Sequence, residues 1–256
     1  MTAARQHESL VTDQFGPRAA AYVTSAVHAQ GEDLGLIAEV ARDTGVKTVL
    51  DLGCGGGHVS FAVAPHVQAV TAYDLSEDML AAVAAEAQRR GLANVATRQG
   101  SAERLPFDDA SFCMVASRYS AHHWGDIPAG LREARRVAKP RGRAVFADVV
   151  APQDPLLDTF LQTIELLRDP SHVRNQSVGA WCAMAEAAGF RVDSVRTGRL
   201  RLDFAAWIAR IATPPVHAEA IRSLQARMSE PVQRHFAIEA DGTFTLDTMV
   251  LVATAA

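Results

Sequence analysis

The sequence has 256 residues, of which 48% are hydrophobic and 21% are charged, as is typical of a globular protein with a sizeable core. Its formal net charge of −4 argues against a nucleic-acid partner, because such partners favour a broad basic surface. No apolar run reaches the roughly 20 residues that span a bilayer, and the polar N-terminus has no secretory hydrophobic segment. We therefore expect a cytoplasmic protein with no membrane partner. The three cysteines are widely separated and predict neither disulfides nor a metal site.

Short apolar runs alternate with helical patterns over the first 150 residues. Strands are predicted over Val46–Leu52, Ala69–Tyr73, Val95–Gln99, Phe112–Ala116 and Arg143–Val149. Helices are predicted over Val27–Arg42, Val59–Ala64, Ser76–Arg90 and Ile127–Val137, with a turn at Lys139–Gly142. Strands that alternate with helices in this way form βαβ units, so the pattern predicts a doubly wound α/β fold with a mostly parallel sheet.

The later part of the chain is less regular. A helix is predicted over Pro152–Asp169, and Trp181–Gly189 is predicted to end another helix. A helical insertion is predicted over Phe204–Ala240, and strands are predicted over Phe190–Val195 and Thr243–Val252. The prediction is therefore one domain over residues 1–256 with seven strands. A cofactor-binding core occupies about residues 15–149, and helical insertions at about 150–180 and 200–240 form a lid over the substrate.

A glycine-rich turn joins the first strand to the next helix, in the order Asp51-Leu-Gly53-Cys54-Gly55-Gly-Gly57-His58. Glycines let the backbone turn tightly and approach a ligand closely, and Cys54 is the small side chain within the turn. Asp51 ends its strand at the edge where open α/β sheets bind ligands. Asp74 ends the next strand, 21 residues after Gly53, where a carboxylate can accept both hydroxyls of a ribose.

This turn has three possible interpretations as a glycine-rich ligand site. A dinucleotide fingerprint requires glycine or alanine where the sequence has His58 or Ser60, and a phosphate-binding P-loop requires a Gly-Lys pair that the sequence lacks. The remaining interpretation is a nucleoside without a pyrophosphate. S-adenosylmethionine is such a ligand, with adenosine at one end and an amino acid at the other.

Four motifs occur in an order that resembles the class I S-adenosylmethionine-dependent methyltransferases. They are Asp51–Gly57, Asp74–Ser76, Gln99–Phe107 and Lys139–Gly142. The branch that they resemble includes the ubiquinone/menaquinone biosynthesis C-methyltransferases, and the resemblance covers about Phe15–Val149. It implies a Rossmann-like fold and methyl transfer to carbon, oxygen or nitrogen of a small molecule, aromatic and quinone-like acceptors included.

The resemblance also implies where each part of the cofactor binds. Asp51 and the glycines would hold the methionine end, and Asp74 would bind the ribose. Tyr22 would fold over the methionine end, or alternatively pack on the domain as an aromatic residue at the start of a helix. Ser101 stands where the family usually has aspartate, so the contact with the adenine amino group shifts toward the Ala102 amide or Glu103. The predicted cofactor-binding residues are Asp51, Gly53, Cys54, Gly55, Asp74, Leu75, Met79, Ser101, Ala102, Glu103, Ser117 and Tyr22.

The segment Ser117–Trp124 follows the fourth strand, at the sheet edge to which the transferred methyl must point. In-line displacement requires alignment and removal of a proton, and a neutral histidine accepts a proton near pH 7. His122 and His123 are therefore candidate bases, and Arg118 is a candidate for holding an anionic substrate group. The alternative is that the segment only positions a loop. It lacks the Pro-Pro tetrad typical of nucleic-acid amino-methyltransferases.

The predicted lid supplies the candidate substrate residues, which are Arg168, His172, Arg174, Trp207 and Arg210. The cluster Arg168–Arg174 combines a turn with two arginines and a histidine, an unusual density for a plain connection. Ordinary helix packing is the competing explanation for Trp207. Two other classes of function stay open, a catalytically silent module that binds S-adenosylmethionine and a nicotinamide-dependent oxidoreductase.

Overall fold

The computed structural model describes residues 3–23 and 30–256. The strands are β1 (Thr48–Leu52), β2 (Ala69–Asp74), β3 (Val95–Gln99), β4 (Phe112–Arg118), β5 (Ala138–Val149), β6 (Phe190–Leu202) and β7 (Phe244–Ala255). The helices are α1 (Ala3–Phe15), α2 (Ala19–Val23), α3 (Glu32–Asp43), α4 (His58–Val63), α5 (Glu77–Arg89), α6 (Ile127–Val137), α7 (Pro155–Arg168), α8 (Val178–Ala187), α9 (Phe204–Ala209), α10 (Pro215–Arg227) and α11 (Glu230–His235). Short 3-10 helices cover Gly16–Arg18, Ala64–His66 and Ala121–His123.

The strands form one mixed sheet in the order β3-β2-β1-β4-β5-β7-β6. Strands β3, β2, β1, β4 and β5 pair in parallel, whereas β7 is antiparallel to both β5 and β6. The carboxyl ends of β1, β2, β4 and β5 therefore share one edge. The strand order reverses between β1 and β4, and open α/β sheets bind ligands at such a switch point. This arrangement fits the predicted Rossmann-like α/β fold.

Helices cover both faces of the sheet, as parallel strands require. On one face α3 and α4 bury Ile37 and Val63 against apolar side chains of β1, β2, β4 and β5. On the other face α6 and α8 bury Leu131 and Trp181 against Phe146. These contacts form because the apolar residues of α3 and α6 recur at helical spacing, which gives each helix one buried side.

A third apolar core lies at the carboxyl edge of the sheet. Helices α7, α9, α10 and α11 bury Phe160, Trp207, Ile221 and Phe236 there, together with Phe244 at the start of β7. Strand β7 runs antiparallel to β5, so its first residues lie at the same edge as the last residues of β5. Helices α7, α9, α10 and α11 therefore pack at the same edge as the glycine-rich turn.

Several boundaries differ from the sequence prediction. The predicted strand Phe190–Val195 continues to Leu202, because β6 pairs with β7 along its whole length. The predicted turn Lys139–Gly142 lies inside β5. It forms a bulge between the β5 residue that pairs with Phe112 and the β5 residue that pairs with Met114. Arg141 in this bulge has a left-handed φ of 62°. The first residues of the predicted helix Val27–Arg42 lie outside the described residues.

Within the residues that the structure describes, no helix has both the length and the apolar character needed to cross a membrane.

Candidate active site

The glycine-rich turn between β1 and α4 needs residues without a side chain. Gly53 has a φ of +71°, and a Cβ there would lie 1.9 Å from the Ser120 hydroxyl oxygen. A Cβ on Gly56 would lie 2.7 Å from the main-chain carbonyl of Tyr22. The amides of Gly53 and Cys54 both donate to the Tyr73 carbonyl, at 2.8 and 2.9 Å. The turn is therefore held against β2, and its backbone faces the cavity at the carboxyl edge of the sheet.

Two aspartates flank this turn at the ends of β1 and β2. The buried Asp51 accepts hydrogen bonds through Oδ2 from the Ser60 amide at 2.9 Å and hydroxyl at 2.6 Å, which tie it to α4. Burial raises the pKa of Asp51 to about 7, although the Ser60 bonds oppose the rise. Asp74 accepts from the amides of Gly55 at 2.8 Å and Ser76 at 2.9 Å. Burial also raises the pKa of Asp74, against these hydrogen bonds.

A large cavity extends from the glycine turn to the helices of residues 150–240. One side, which we call the glycine-turn wall, comprises Asp51, Gly53, Cys54, Gly55, Asp74, Leu75, Met79, Ser101, Ala102 and Glu103. The other side, the helical wall, comprises Glu165, Arg168, Asn175, Trp207 and Arg210. Tyr22, Arg118, His122 and His123 also line the cavity. The structure therefore brings most of the sequence-predicted site residues together.

Three predicted residues do not line this cavity. Ser117 is buried within β4, where side chains alternate between faces, so it points away from the side on which Arg118 lies. His172 is buried and contacts Gln162, with Nε2 3.0 Å from Oε1. Arg174 forms an ion pair with Asp158. These contacts place all three residues behind or beside the wall rather than in it.

His122 forms a hydrogen-bonded pair with a carboxylate that the sequence analysis missed. Its Nδ1 lies 2.6 Å from Oδ1 of Asp148, near the end of β5, and that oxygen also accepts the Val149 amide at 2.8 Å. Burial alone would lower the pKa of His122, but the charge of Asp148 and its hydrogen bond outweigh burial, and the pKa is raised. The main-chain carbonyl of His122 accepts the amides of Val173 and Arg174 at 2.9 and 3.2 Å, which fix the loop.

His123 has a different environment from its neighbour. Its Nδ1 lies 3.1 Å from the Ser171 carbonyl, and its Nε2 lies 4.0 Å from Asp169. Burial and the charge of His122 lower the pKa of His123 to about 4. Its ring packs edge-on against Phe15 of α1, and its carbonyl oxygen lies 2.8 Å from Nε2 of His7. His123 therefore stays neutral near pH 7 and anchors α1 over the cavity.

Arg118 lines the cavity, but its charge is compensated within the protein. Its guanidinium forms a buried ion pair with Asp33 of α3 and lies 4.8 Å above the Tyr119 ring. A guanidinium held by a carboxylate offers less attraction to a substrate anion than an unpaired one.

The helical wall combines charged, polar and apolar groups. Arg168 donates from Nε to the Trp207 carbonyl at 3.1 Å and stacks 4.8 Å above the Trp207 ring, with Glu165 3.9 Å away. Both terminal atoms of the buried Asn175 side chain have no hydrogen-bond partner among the described residues. Its backbone is nevertheless fixed, because the Gln162 side chain accepts its amide at 3.1 Å and donates to its carbonyl at 2.9 Å.

Sequence reasoning missed Asp148, Glu165 and Asn175, all of which line or support the cavity. A signal for Asp148 exists, since it is the lone carboxylate in the apolar run Ala144–Val149 that ends its strand, in a position like those of Asp51 and Asp74. Glu165 lies on the buried side of an amphipathic helix, where a charged residue is unusual. Asn175 lies in an irregular segment and has no comparable signal.

Two observations test which cofactor and which ions the cavity suits. In the described part of the chain no cluster of three His, Cys, Asp or Glu side chains is arranged to hold a metal ion. The glycine turn and the strand-end carboxylate of Asp74 fit a nucleoside, with backbone on one side and an acceptor of hydrogen bonds from hydroxyl groups on the other. Fold and cavity together define an α/β protein that binds a nucleoside cofactor at the carboxyl edge of its sheet.

Comparisons with known proteins identify the family. A model described as a methyltransferase domain matches residues 50–146. YafE of Escherichia coli (strain K12), an uncharacterized protein, is 47% identical over 201 residues, which are 78% of this chain and 97% of YafE. The uncharacterized methyltransferase YcgJ of Bacillus subtilis (strain 168) is 40% identical over 78% of this chain and 79% of its own. Its crystal structure superimposes with a TM-score of 0.83, at 34% identity over 87% of this chain and 97% of that chain.

A demethylmenaquinone methyltransferase of Chlorobaculum parvum is 34% identical over 110 residues, 43% of this chain and 44% of that protein. The chain belongs to the class I S-adenosylmethionine-dependent methyltransferases. It is a methyltransferase enzyme whose cofactor is S-adenosylmethionine, as the resemblance predicted.

Proposed function

We propose that the enzyme methylates a small-molecule acceptor bound against the helical wall, with His122 as the base that removes the acceptor's proton. The observation that carries this proposal is the His122–Asp148 pair, in which His122 lines the same cavity as the glycine turn and Asp148 holds its ring. Helices α7, α9, α10 and α11 form the lid over this acceptor, and their packing at the carboxyl edge supports that role.

When bound, the cofactor supplies a methyl group activated by the sulfonium. We assign its ribose to Asp74 and its amino-acid end to Asp51, Gly53 and Gly55. Leu75 and Met79 contact the adenine in this assignment, with Ser101, Ala102 and Glu103 at its edge. The support is that all of these residues line one wall of the cavity.

The hydrogen bond to Asp148 determines which nitrogen of His122 can act. A carboxylate only accepts hydrogen bonds, so Nδ1 carries the ring hydrogen and Nε2 keeps its lone pair for an incoming proton. The negative charges of Asp148, Glu165 and Asp169 then favour the imidazolium that forms. His122 is thereby suited to an acceptor whose reacting atom loses a proton.

The acceptor can present carbon, oxygen or nitrogen to the methyl group, and the lining favours a partly apolar body. Leu200, Leu202, Leu246 and Val149 line the cavity beside the charged residues. Aromatic and quinone-like molecules match such a lining, and a demethylmenaquinone methyltransferase is among the relatives. We place the reaction in the cytoplasm and on a small molecule rather than on a nucleic acid.

Incubation with methyl-labelled S-adenosylmethionine and a metabolite extract tests this proposal. We expect the label to appear in a small molecule with the parent protein and to decrease strongly with His122→Asn. Label confined to RNA or protein, or no transfer from extracts of several bacteria, would contradict it.

Asn175 provides an independent test of the acceptor side. Replacing it with leucine, a side chain of similar size, removes a buried polar group that lacks a partner, and such groups cost about 1–3 kcal/mol. We expect Asn175→Leu to leave the free energy of unfolding unchanged or raised, while the acceptor KM rises about tenfold. Urea unfolding and steady-state kinetics measure the two effects. Lower stability with an unchanged KM would show that Asn175 serves the fold alone.

A further inference from the structure

Two arginines of the helical wall differ from Arg118 in how their charge is balanced. Arg118 has Asp33 as a close partner, whereas Arg168 has Glu165 only at 3.9 Å. Within residues 3–23 and 30–256 no carboxylate lies close enough to form an ion pair with Arg210, although the charge of Glu165 acts on it. Both side chains line the same cavity as His122.

The surroundings of Arg210 disfavour the charged form of its guanidinium. It is half-buried, and burial together with the like charge of Arg168 lowers the pKa of its guanidinium. Tyr22 lies beside the same two arginines, and its burial raises the pKa of its hydroxyl against their charges. Guanidinium groups that face a cavity and repel each other attract an oxyanion that lies between them, because both then gain charge-assisted hydrogen bonds.

Among the carboxylates near this pair, Glu165 is the one whose charge acts on Arg210. Glu165 is the acidic residue of the helical wall, and it faces two arginines. Asp169 accepts the amide and the hydroxyl of Ser171 through its Oδ1, at 2.9 and 2.6 Å, whereas its Oδ2 has no hydrogen-bond partner among the described residues. Asp148 is bound to His122, and Asp33 is bound to Arg118.

We propose that the acceptor is an organic anion whose carboxylate binds between Arg168 and Arg210, a refinement that rests on the proposed function. Its apolar body lies against Leu200, Leu202 and Leu246, and the atom to be methylated lies toward His122. The anionic group anchors the molecule away from the reacting atom, so that it orients the acceptor without taking part in the transfer.

Binding of simple carboxylates measures this site without any methyl transfer. With saturating S-adenosylhomocysteine present, calorimetry compares 2-naphthoate and octanoate with their neutral amides. We expect each carboxylate to bind at least tenfold more tightly than its amide. Arg210→Gln should abolish that preference, and Arg210→Lys should retain part of it. The matched control is Arg234→Gln, which changes an exposed arginine on α11 that pairs with Glu230.

Equal affinity for acids and amides, no carboxylate binding at millimolar concentration, or an unchanged preference in Arg210→Gln would overturn the inference. A second arm uses the labelled product from the metabolite extract. Retention of this product on an anion-exchange resin at neutral pH supports an anionic acceptor. A neutral or cationic product would refute the carboxylate site and leave the proposed methyl transfer intact. Carboxylate binding without any labelled product would support the site and contradict the proposed methyl transfer.

Discussion

Replacing His122 with asparagine is expected to lower turnover by about 10²–10⁴-fold, the usual cost of removing a general base. Cofactor affinity should change little, because His122 acts on the acceptor's proton and that interaction exists only in the transition state. The measurement is kcat with the acceptor identified by labelling, beside calorimetric binding of S-adenosylhomocysteine. His123→Asn should cost less, since His123 lacks a carboxylate hydrogen-bond partner and has a pKa of about 4.

The pH profile gives a second readout of the same base. A base must be neutral to act, so turnover should rise with pH through the pKa of His122. The Asp148 charge outweighs burial there, so this ascending limb should lie above the ordinary imidazole pKa of about 6.5. Asp148→Asn keeps a hydrogen-bond acceptor but removes the charge, and it should move the limb to lower pH while reducing the maximal rate. A purely structural Asp148 would leave the limb where it is.

The control for these variants is His66→Asn, which makes the same substitution at an exposed position outside the cavity. It should leave turnover and the pH profile unchanged. If His122→Asn and His123→Asn both turn over within about threefold of the parent enzyme, neither histidine is the base. Alignment of the acceptor would then have to provide the whole acceleration.

The sequence predicted local elements best where short-range signals define both ends. Strand Val95–Gln99 and helix Ile127–Val137 were predicted to the residue. The predicted helix start at Ser76 agrees with the structure, where the Ser76 hydroxyl caps α5 by accepting the Met79 amide at 3.3 Å. Strand β6 was predicted too short, because its second half is set by pairing with β7, some 50 residues later in the sequence. Tertiary pairing of this kind leaves little trace in the local pattern.

The residues of the candidate site also differ in whether a local sequence signal identifies them. Gly53 and Asp74 belong to a compact motif whose spacing carries its geometry, so the glycine-turn wall could be predicted. The partner of Arg118 could not, since Asp33 lies 85 residues away in the sequence and meets it only through packing of α3. The proximity of Arg168 and Arg210 likewise depends on how α7 and α9 fold over the sheet edge.

Replacing Asp74 with alanine is expected to weaken cofactor binding by about 10- to 150-fold, which corresponds to about 1.5–3 kcal/mol. The reason is that a charged acceptor for the ribose hydroxyls is lost. The substitution also removes the acceptor for the Gly55 and Ser76 amides and so loosens the turn itself. Calorimetry with S-adenosylhomocysteine measures the total effect, and thermal unfolding shows whether the fold survives.

A deoxyribose analogue separates the ribose contact from the loosened turn. The parent enzyme should bind S-adenosylhomocysteine more tightly than its 2′-deoxy counterpart, and Asp74→Ala should lose this preference, because the two changes remove the same interaction. Asp108→Ala, at an exposed aspartate outside the cavity, is the matched control and should retain the preference. If Asp74→Ala weakens both ligands equally, Asp74 supports the turn without touching the 2′-hydroxyl. An affinity loss below twofold would remove Asp74 from the cofactor site.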